Sequence, residues 1–148
     1  MTVDEPTLTL ARLSRLLENN GTTELSLPQY RLLGLLSSGE ERASQLAARL
    51  AVAKPTLTSL VDNLVERGLV ARDAMHGDRR AVRVSITAAG RLTLGRTAVQ
   101  LRSVFDRVLE RCDDSNAVLA ALADLRSALD GLLAERPEES PAAVGATR

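Results

Sequence analysis

The stretch SQLAARLAVAKPTLTSLVDNLVERGLVARDAMHGDRRAVRVSITAAGR, residues 44–91, changes its hydrophobic period partway along. As far as Gly68 the period is helical. Ser44 can cap a short helix in which Leu46, Ala47 and Leu50 share one face, and the small residues Ala51-Val52-Ala53 separate it from a second start marked by Pro55. In that second segment, about Lys54 to Arg67, Leu57, Leu60, Val61 and Leu64 fall at i, i+3, i+4 and i+7. One stripe therefore faces a core and the other face is free. Gly68 is placed to close the helix in the left-handed conformation. Beyond it the period falls to two: Leu69-Val70-Ala71-Arg72, a polar turn through His76-Gly77-Asp78, then apolar residues at Val82, Val84 and Ile86. That is the pattern of a β-hairpin.

Helices flank this stretch on both sides. Leu8, Leu10, Leu13, Leu16 and Leu17 recur with a helical period that ends at Asn19-Asn20-Gly21. Ser26 offers an N-cap with Pro28 in the first turn, predicting a helix from about Leu27 to Leu36. Thr87 begins a long helix through about Arg111, with Leu94, Ala98, Leu101, Phe105 and Val108 as its apolar stripe and Gly90 and Gly95 weakening it locally. Asp113-Asp114-Ser115 supplies caps for a last helix, in which Val118, Leu122, Leu125, Leu129 and Leu132 repeat at four, three, four and three. Such a seam packs either within the chain or as a coiled-coil-like contact with another. From Pro137 the chain has no period, so a mobile tail is expected over 137–148.

Composition bounds what such a chain can do. Its 148 residues, 45% of them hydrophobic, suit one domain with or without an oligomerisation extension, and exclude a multi-domain machine. The single cysteine, Cys112, excludes an intrachain disulfide. Asp113 and Asp114 beside it oppose a reactive thiolate, so a packed or idle cysteine is expected. The N-terminal Met1-Thr2-Val3-Asp4-Glu5-Pro6 is acidic and no apolar run approaches a membrane span, so a cytoplasmic protein is expected, without export or membrane insertion. The only aromatics are Tyr30 and Phe105, which argues against base-stacking platforms for single strands. His76 is the only histidine. No His-based metal site or Ser-His-Asp relay can be assembled from one chain, and neither an enzyme nor a cofactor is expected.

Nineteen basic and nineteen acidic residues cancel over the whole chain, but not locally. From Arg42 to Arg91 there are nine basic residues against four acidic, an excess of five positive charges matched by an equal negative excess in the flanks. A basic centre between acidic ends is the footprint of a polyanion-binding module, or else a solvated charged face.

Helix, turn, helix, hairpin is the order of a winged helix-turn-helix. The fold class expected is mainly α with a small β-hairpin wing. A winged lobe would span about 26–91, a helical dimerisation region 7–20 and 92–135, and the whole a single domain over 1–136. The motifs Ser44-Gln45-Leu46-Ala47, Lys54-Pro55-Thr56-Leu57-Thr58, Leu64-Val65-Glu66-Arg67-Gly68-Leu69-Val70, His76-Gly77-Asp78-Arg79-Arg80-Ala81 and Ser85-Ile86-Thr87-Ala88-Ala89-Gly90 occur in order. They resemble those of MarR-type bacterial transcription regulators from about Leu25 to Arg91, while the flanking helices match in order and length only.

On the second helix of the pair, the face away from the core leaves Thr56, Thr58 and Ser59 as candidate base or phosphate readers, with Lys54 and Pro55 where the helix begins. Ala53 stands where the family commonly has a capping Ser or Asp, and Ser59 where it often has Arg; fewer cationic contacts imply weaker or more shape-dependent reading. The resemblance assigns Arg80 to the wing tip, entering the minor groove, with Asp78 directing it. A narrow A·T-rich groove attracts a guanidinium, and residues two apart lie on one side of an extended chain. Arg79 faces the other way and suits a phosphate. Arg72 and Arg83 suit the DNA backbone, or ion pairs with Asp73 or Asp78. Ser44 and Gln45 begin a helix whose N-terminus favours phosphate, although Ser44 reads equally as a plain cap.

The resemblance implies a homodimeric repressor on a pseudo-palindromic double-stranded DNA site, released by a small molecule bound between dimer body and lobe. The rival reading is a winged-helix module that binds protein and has no specific DNA site.

Overall fold

A computed structural model describes residues 5–19, 24–39, 41–74 and 82–134. Its elements, in chain order, are α1 (Glu5–Glu18), α2 (Leu27–Leu36), β1 (Glu41–Arg42), α3 (Ala43–Leu50), α4 (Lys54–Glu66), β2 (Val70–Ala74), β3 (Val82–Ile86), α5 (Ala88–Leu109) and α6 (Ser115–Ala134). The wing tip and the stretch expected to be a tail lie outside the described residues.

Local chemistry sets most of these boundaries. Ser26 and Gln29 form a reciprocal capping box at α2: the Gln29 amide donates to Ser26 Oγ (3.4 Å), and the Ser26 amide donates to Gln29 Oε1 (3.0 Å). At the other end of the pair, Gly68 is left-handed (φ +69°). The Leu69 amide reaches the Leu64 carbonyl (2.9 Å) and the Gly68 amide the Val65 carbonyl (2.9 Å), a Schellman stop for α4. The turn between α3 and α4 is closed by Ala51 in the left-handed region (φ 55°), where glycine would carry no steric penalty.

Three sequence expectations change here. The backbone N-cap of α3 is Arg42, without a side-chain cap bond, so Ser44 stands at the second helical position and not at the cap. The hairpin gains a third strand: β1 pairs antiparallel with β3 (Glu41 with Val84, Arg42 with Arg83), giving the order β1-β3-β2. Two residues carry no alternation to read, and their partner lies some forty positions on. The fully buried face of α5 runs through Gly90, Thr93, Thr97, Leu101 and Val104; of the expected apolar stripe Leu101 is buried, while Leu94, Ala98, Phe105 and Val108 are half-buried, Leu94 against the lobe's core.

Nor does Gly90 merely weaken α5. A Cβ there would collide with the Leu69 carbonyl oxygen, the group that accepts the Thr87 amide (3.1 Å) as the chain leaves the sheet. Close backbone approach, not helix propensity, places glycine at this point.

The core belongs to the lobe. Leu32, Leu33 and Leu36 of α2, Leu46 and Leu50 of α3, Leu57, Val61 and Leu64 of α4, and Val84 and Ile86 of β3 are buried in one cluster. Outside it the picture reverses: α1 and α6 bury no residue. Leu8, Leu10, Leu16, Leu125, Leu129 and Leu132 are exposed, the last at 62%. On α6 the seam is half-buried at Val118 and Leu122, and its C-terminal part, Leu125, Leu129 and Leu132, is not covered by the described residues.

Candidate nucleic-acid interface

With Leu57, Val61 and Leu64 turned inward, the other side of α4 stands free: Lys54, Pro55, Thr56, Thr58, Ser59, Asp62 and Asn63 are all exposed. At about 100° per residue, the ridge opposite the core runs through Pro55, Ser59, Asp62 and Glu66. Thr58 lies toward one flank, and Thr56 and Asn63 toward the other. The hydroxyls of Thr58 and Ser59 donate back to the carbonyls of Lys54 (3.0 Å) and Pro55 (3.1 Å). This ties both side chains to the helix and leaves their oxygen lone pairs outward.

Among the expected site residues, Lys54, Pro55, Thr56, Thr58 and Ser59 come together on α4, and Gln45 is exposed on α3. Ser44 is at the second position of α3. The N-caps of α3 and α4, Arg42 and Ala53, make no side-chain cap bond to the first-turn N–H groups of their helices. Asp78, Arg79 and Arg80 lie outside the described residues.

Arg72 is found elsewhere than expected. Its guanidinium meets Asp62 Oδ1 at 2.6 Å, a partner other than Asp73, and so pins the first wing strand to the middle of α4; Asp78 lies outside the described residues. Arg72 and Asp62 lie ten positions apart across the Schellman turn, and only the docking of β2 beside α4 joins them.

Several cations of the basic centre have internal work. Arg67 donates to the Glu24 carbonyl (2.9 Å) and Arg91 to the Ser37 carbonyl (3.3 Å). Lys54 makes no ion pair among the described residues and stands exposed at the first position of α4. The charge excess near the interface is thus partly structural.

A polar network that sequence reading missed leads from α4 to α5. Gln29 Nε2 donates to Asn63 Oδ1 (2.9 Å), Arg67 reaches Gln29 Oε1 (3.5 Å), and Glu24 receives a two-pronged contact from Arg96 (2.8 and 3.0 Å). The hydrogen bond from Arg96 holds the Glu24 carboxyl below its ordinary value of 4.5, with the Arg96 and Arg67 charges acting in the same direction. No sequence spacing joins residues 24 and 96, so no motif could have revealed the pair.

Other chemistry finds little support. No group of three or more His, Cys, Asp or Glu among the described residues could hold a metal ion. Cys112 is half-buried, its thiol against the Val108 carbonyl (3.5 Å). No helix of the described residues is long and apolar enough to cross a membrane.

A family profile described as MarR family matches residues 25–82. The chain is 32% identical to an uncharacterized HTH-type transcriptional regulator, YpoP, of Bacillus subtilis (strain 168), over 108 residues covering 72% of this chain and 75% of that protein. The transcriptional regulator BldR of Sulfolobus solfataricus aligns with a TM-score of 0.69 at 28% identity, over 84% of this chain and 94% of that one. The transcriptional repressor CouR, bound to a 23-mer DNA duplex, shares the fold with a TM-score of 0.73 at 22% identity, over 83% of this chain and 88% of that one. Sequence, element order and winged lobe agree, and the chain belongs to the MarR family of transcriptional regulators.

Proposed function

We propose that this regulator is a homodimer that binds a pseudo-palindromic double-stranded DNA site, represses transcription there and is released by a small-molecule effector. The carrying observation is the exposed polar face of α4, which Asp62 and Arg72 join to the wing. A helix so displayed fits the major groove, with the wing over the neighbouring backbone or minor groove. The DNA-bound state of CouR, a protein of the same fold, supports this docking.

On this reading Thr56, Thr58 and Ser59 approach base edges, while Lys54, Gln45 and the first-turn N–H groups of α3 and α4 hold phosphates. Arg80, directed by Asp78, enters the minor groove, and Arg79 contacts the backbone. Dimerisation through α1, α5 and α6 would cover the leucines that these helices leave exposed. It would set two lobes about one helical turn of DNA apart. An effector acts by preferring one lobe spacing over the other. The mechanism uses no cofactor and no catalysis, and its setting is the cytoplasm.

The test is fluorescence anisotropy on the protein's own upstream DNA, with random DNA as competitor, for wild type and Arg80→Ala. Specific binding that weakens in the variant, and falls with salt at a log–log slope near −0.9 per phosphate contacted, is expected. Absence of any preferred duplex, from upstream DNA or from a random pool, would favour a protein-binding winged helix.

A further inference from the structure

The outer ridge of α4 presents hydrogen-bond acceptors, while its own hydroxyl donors are turned back onto the helix. Pro55 has no polar side-chain atom. Ser59 and Thr58 own one hydroxyl hydrogen each, and both are committed to helix carbonyls, which can only accept. Asp62 is a carboxylate, an acceptor at both oxygens; Arg72 engages Oδ1 at 2.6 Å and leaves acceptor capacity to spare. Glu66 continues the ridge one turn on.

Donors do exist nearby, but off this ridge. Lys54 stands at the first helical position to one side, Thr56 and Asn63 are on the opposite flank with Asn63 tied to Gln29, and the Arg72 guanidinium, coming from β2, is engaged by Asp62. The ion pair with Arg72 has two effects on Asp62. It offsets the negative charge that phosphates would repel, and it fixes the direction of the carboxylate.

In the major groove the donors are the N4 amine of cytosine and the N6 amine of adenine, whereas guanine presents two acceptors and thymine one. We propose that Asp62, held by Arg72 and flanked by Ser59 and Thr58, selects its base pair through a cytosine or adenine exocyclic amine, and that this face does not read guanine's acceptor edge. This rests on the DNA-binding reading above and names what that interface recognises. The physical ground is asymmetric: an acceptor set against an acceptor leaves both groups unpaired as water is expelled, which costs more than a good bond gains.

The test begins with selection of the full chain on a random duplex pool. In the enriched duplex, each core adenine is replaced in turn by purine nucleoside and each cytosine by a pyrimidinone nucleoside, removing single amines. Each core guanine is replaced by 7-deazaguanine, removing one acceptor. At one position or more, amine removal should weaken wild-type binding about fivefold or more, the lower range for a specific base contact. The same replacement should cost Asp62→Ala under about twofold, because its reader is already gone.

A second variant, Ser59→Arg, adds a donor fork and should gain sensitivity to 7-deazaguanine that wild type lacks at that position. Equal amine sensitivity in wild type and Asp62→Ala, or wild-type dependence on guanine N7 beneath this ridge, would overturn the proposal while leaving DNA binding intact. Failure to enrich any duplex would overturn both.

Discussion

Replacing Gly90 by alanine sets two readings of one residue against each other with opposite signs. If the glycine only softened α5, alanine would stabilise the protein by up to about 1 kcal/mol through helix propensity. The new Cβ, however, lands on the Leu69 carbonyl oxygen and lies 2.8 Å from Ile86 Cγ1. Relief requires the start of α5 to move off the sheet. Three hydrogen bonds depend on its present position: Thr87 amide to Leu69 carbonyl (3.1 Å), Thr87 Oγ1 to Gly68 carbonyl (2.8 Å), and Gly90 amide to Thr87 Oγ1 (3.0 Å). At about 1 kcal/mol each, less the propensity gain, the net destabilisation is about 2 kcal/mol. Urea unfolding at fixed protein concentration, with Gly34→Ala as control, is the assay. Gly34 lies inside α2 with nothing within 4 Å of its would-be Cβ, so that variant should gain about 0.5–1 kcal/mol. A Gly90→Ala midpoint at or above wild type would refute the close-approach argument.

Other outcomes follow from the same contacts. Ala51→Gly should stabilise by about 0.5 kcal/mol, since relief of the left-handed strain slightly outweighs the added freedom of the unfolded chain; an unchanged or lower urea midpoint would contradict it. The Glu24 carboxyl is held below 4.5, so its pairing with Arg96 contributes fully above that pH and is lost as pH falls through the lower folded value. Melting curves of wild type and Arg96→Ala should therefore differ most above pH 4.5 and converge as pH falls below it; a constant gap would show that the pair is not what titrates. Leu129→Glu places a charge on the exposed seam of α6 and should shift light-scattering mass toward monomer without lowering helix content. A dimer of unchanged affinity would remove α6 from the interface.

Much of the lobe was legible because its signals are local. Ser26, Pro28 and Gln29 lie within one turn of α2, and Gly68 directly follows the last turn of α4, so the residues that set these boundaries are sequence neighbours. The inward stripe at Leu57, Val61 and Leu64 follows from helical period alone, and so does the exposure of Thr58 and Ser59 on the other side. What period cannot show is which neighbour a face will meet. The apolar stripe on α5 pointed to Leu94, Ala98 and Phe105, which are half-buried, yet the helix buries Thr93 and Thr97 more deeply, and its N-terminus docks with Gly90 beside Leu69.

The sequence by itself determined the order of helices, turn and hairpin, the polar outer face of α4 and the apolar seam of α6, because each depends on residues a few positions apart and on backbone geometry with fixed periods. Only the tertiary structure decided that Arg72 holds Asp62, that Glu24 meets Arg96, that a third strand joins at Glu41–Arg42 and that Gly90 admits no side chain. Those contacts join elements that no period relates. They form where burying the lobe's leucines brings separate pieces of backbone within a few ångströms, and packing at that distance, not propensity, chooses the partners.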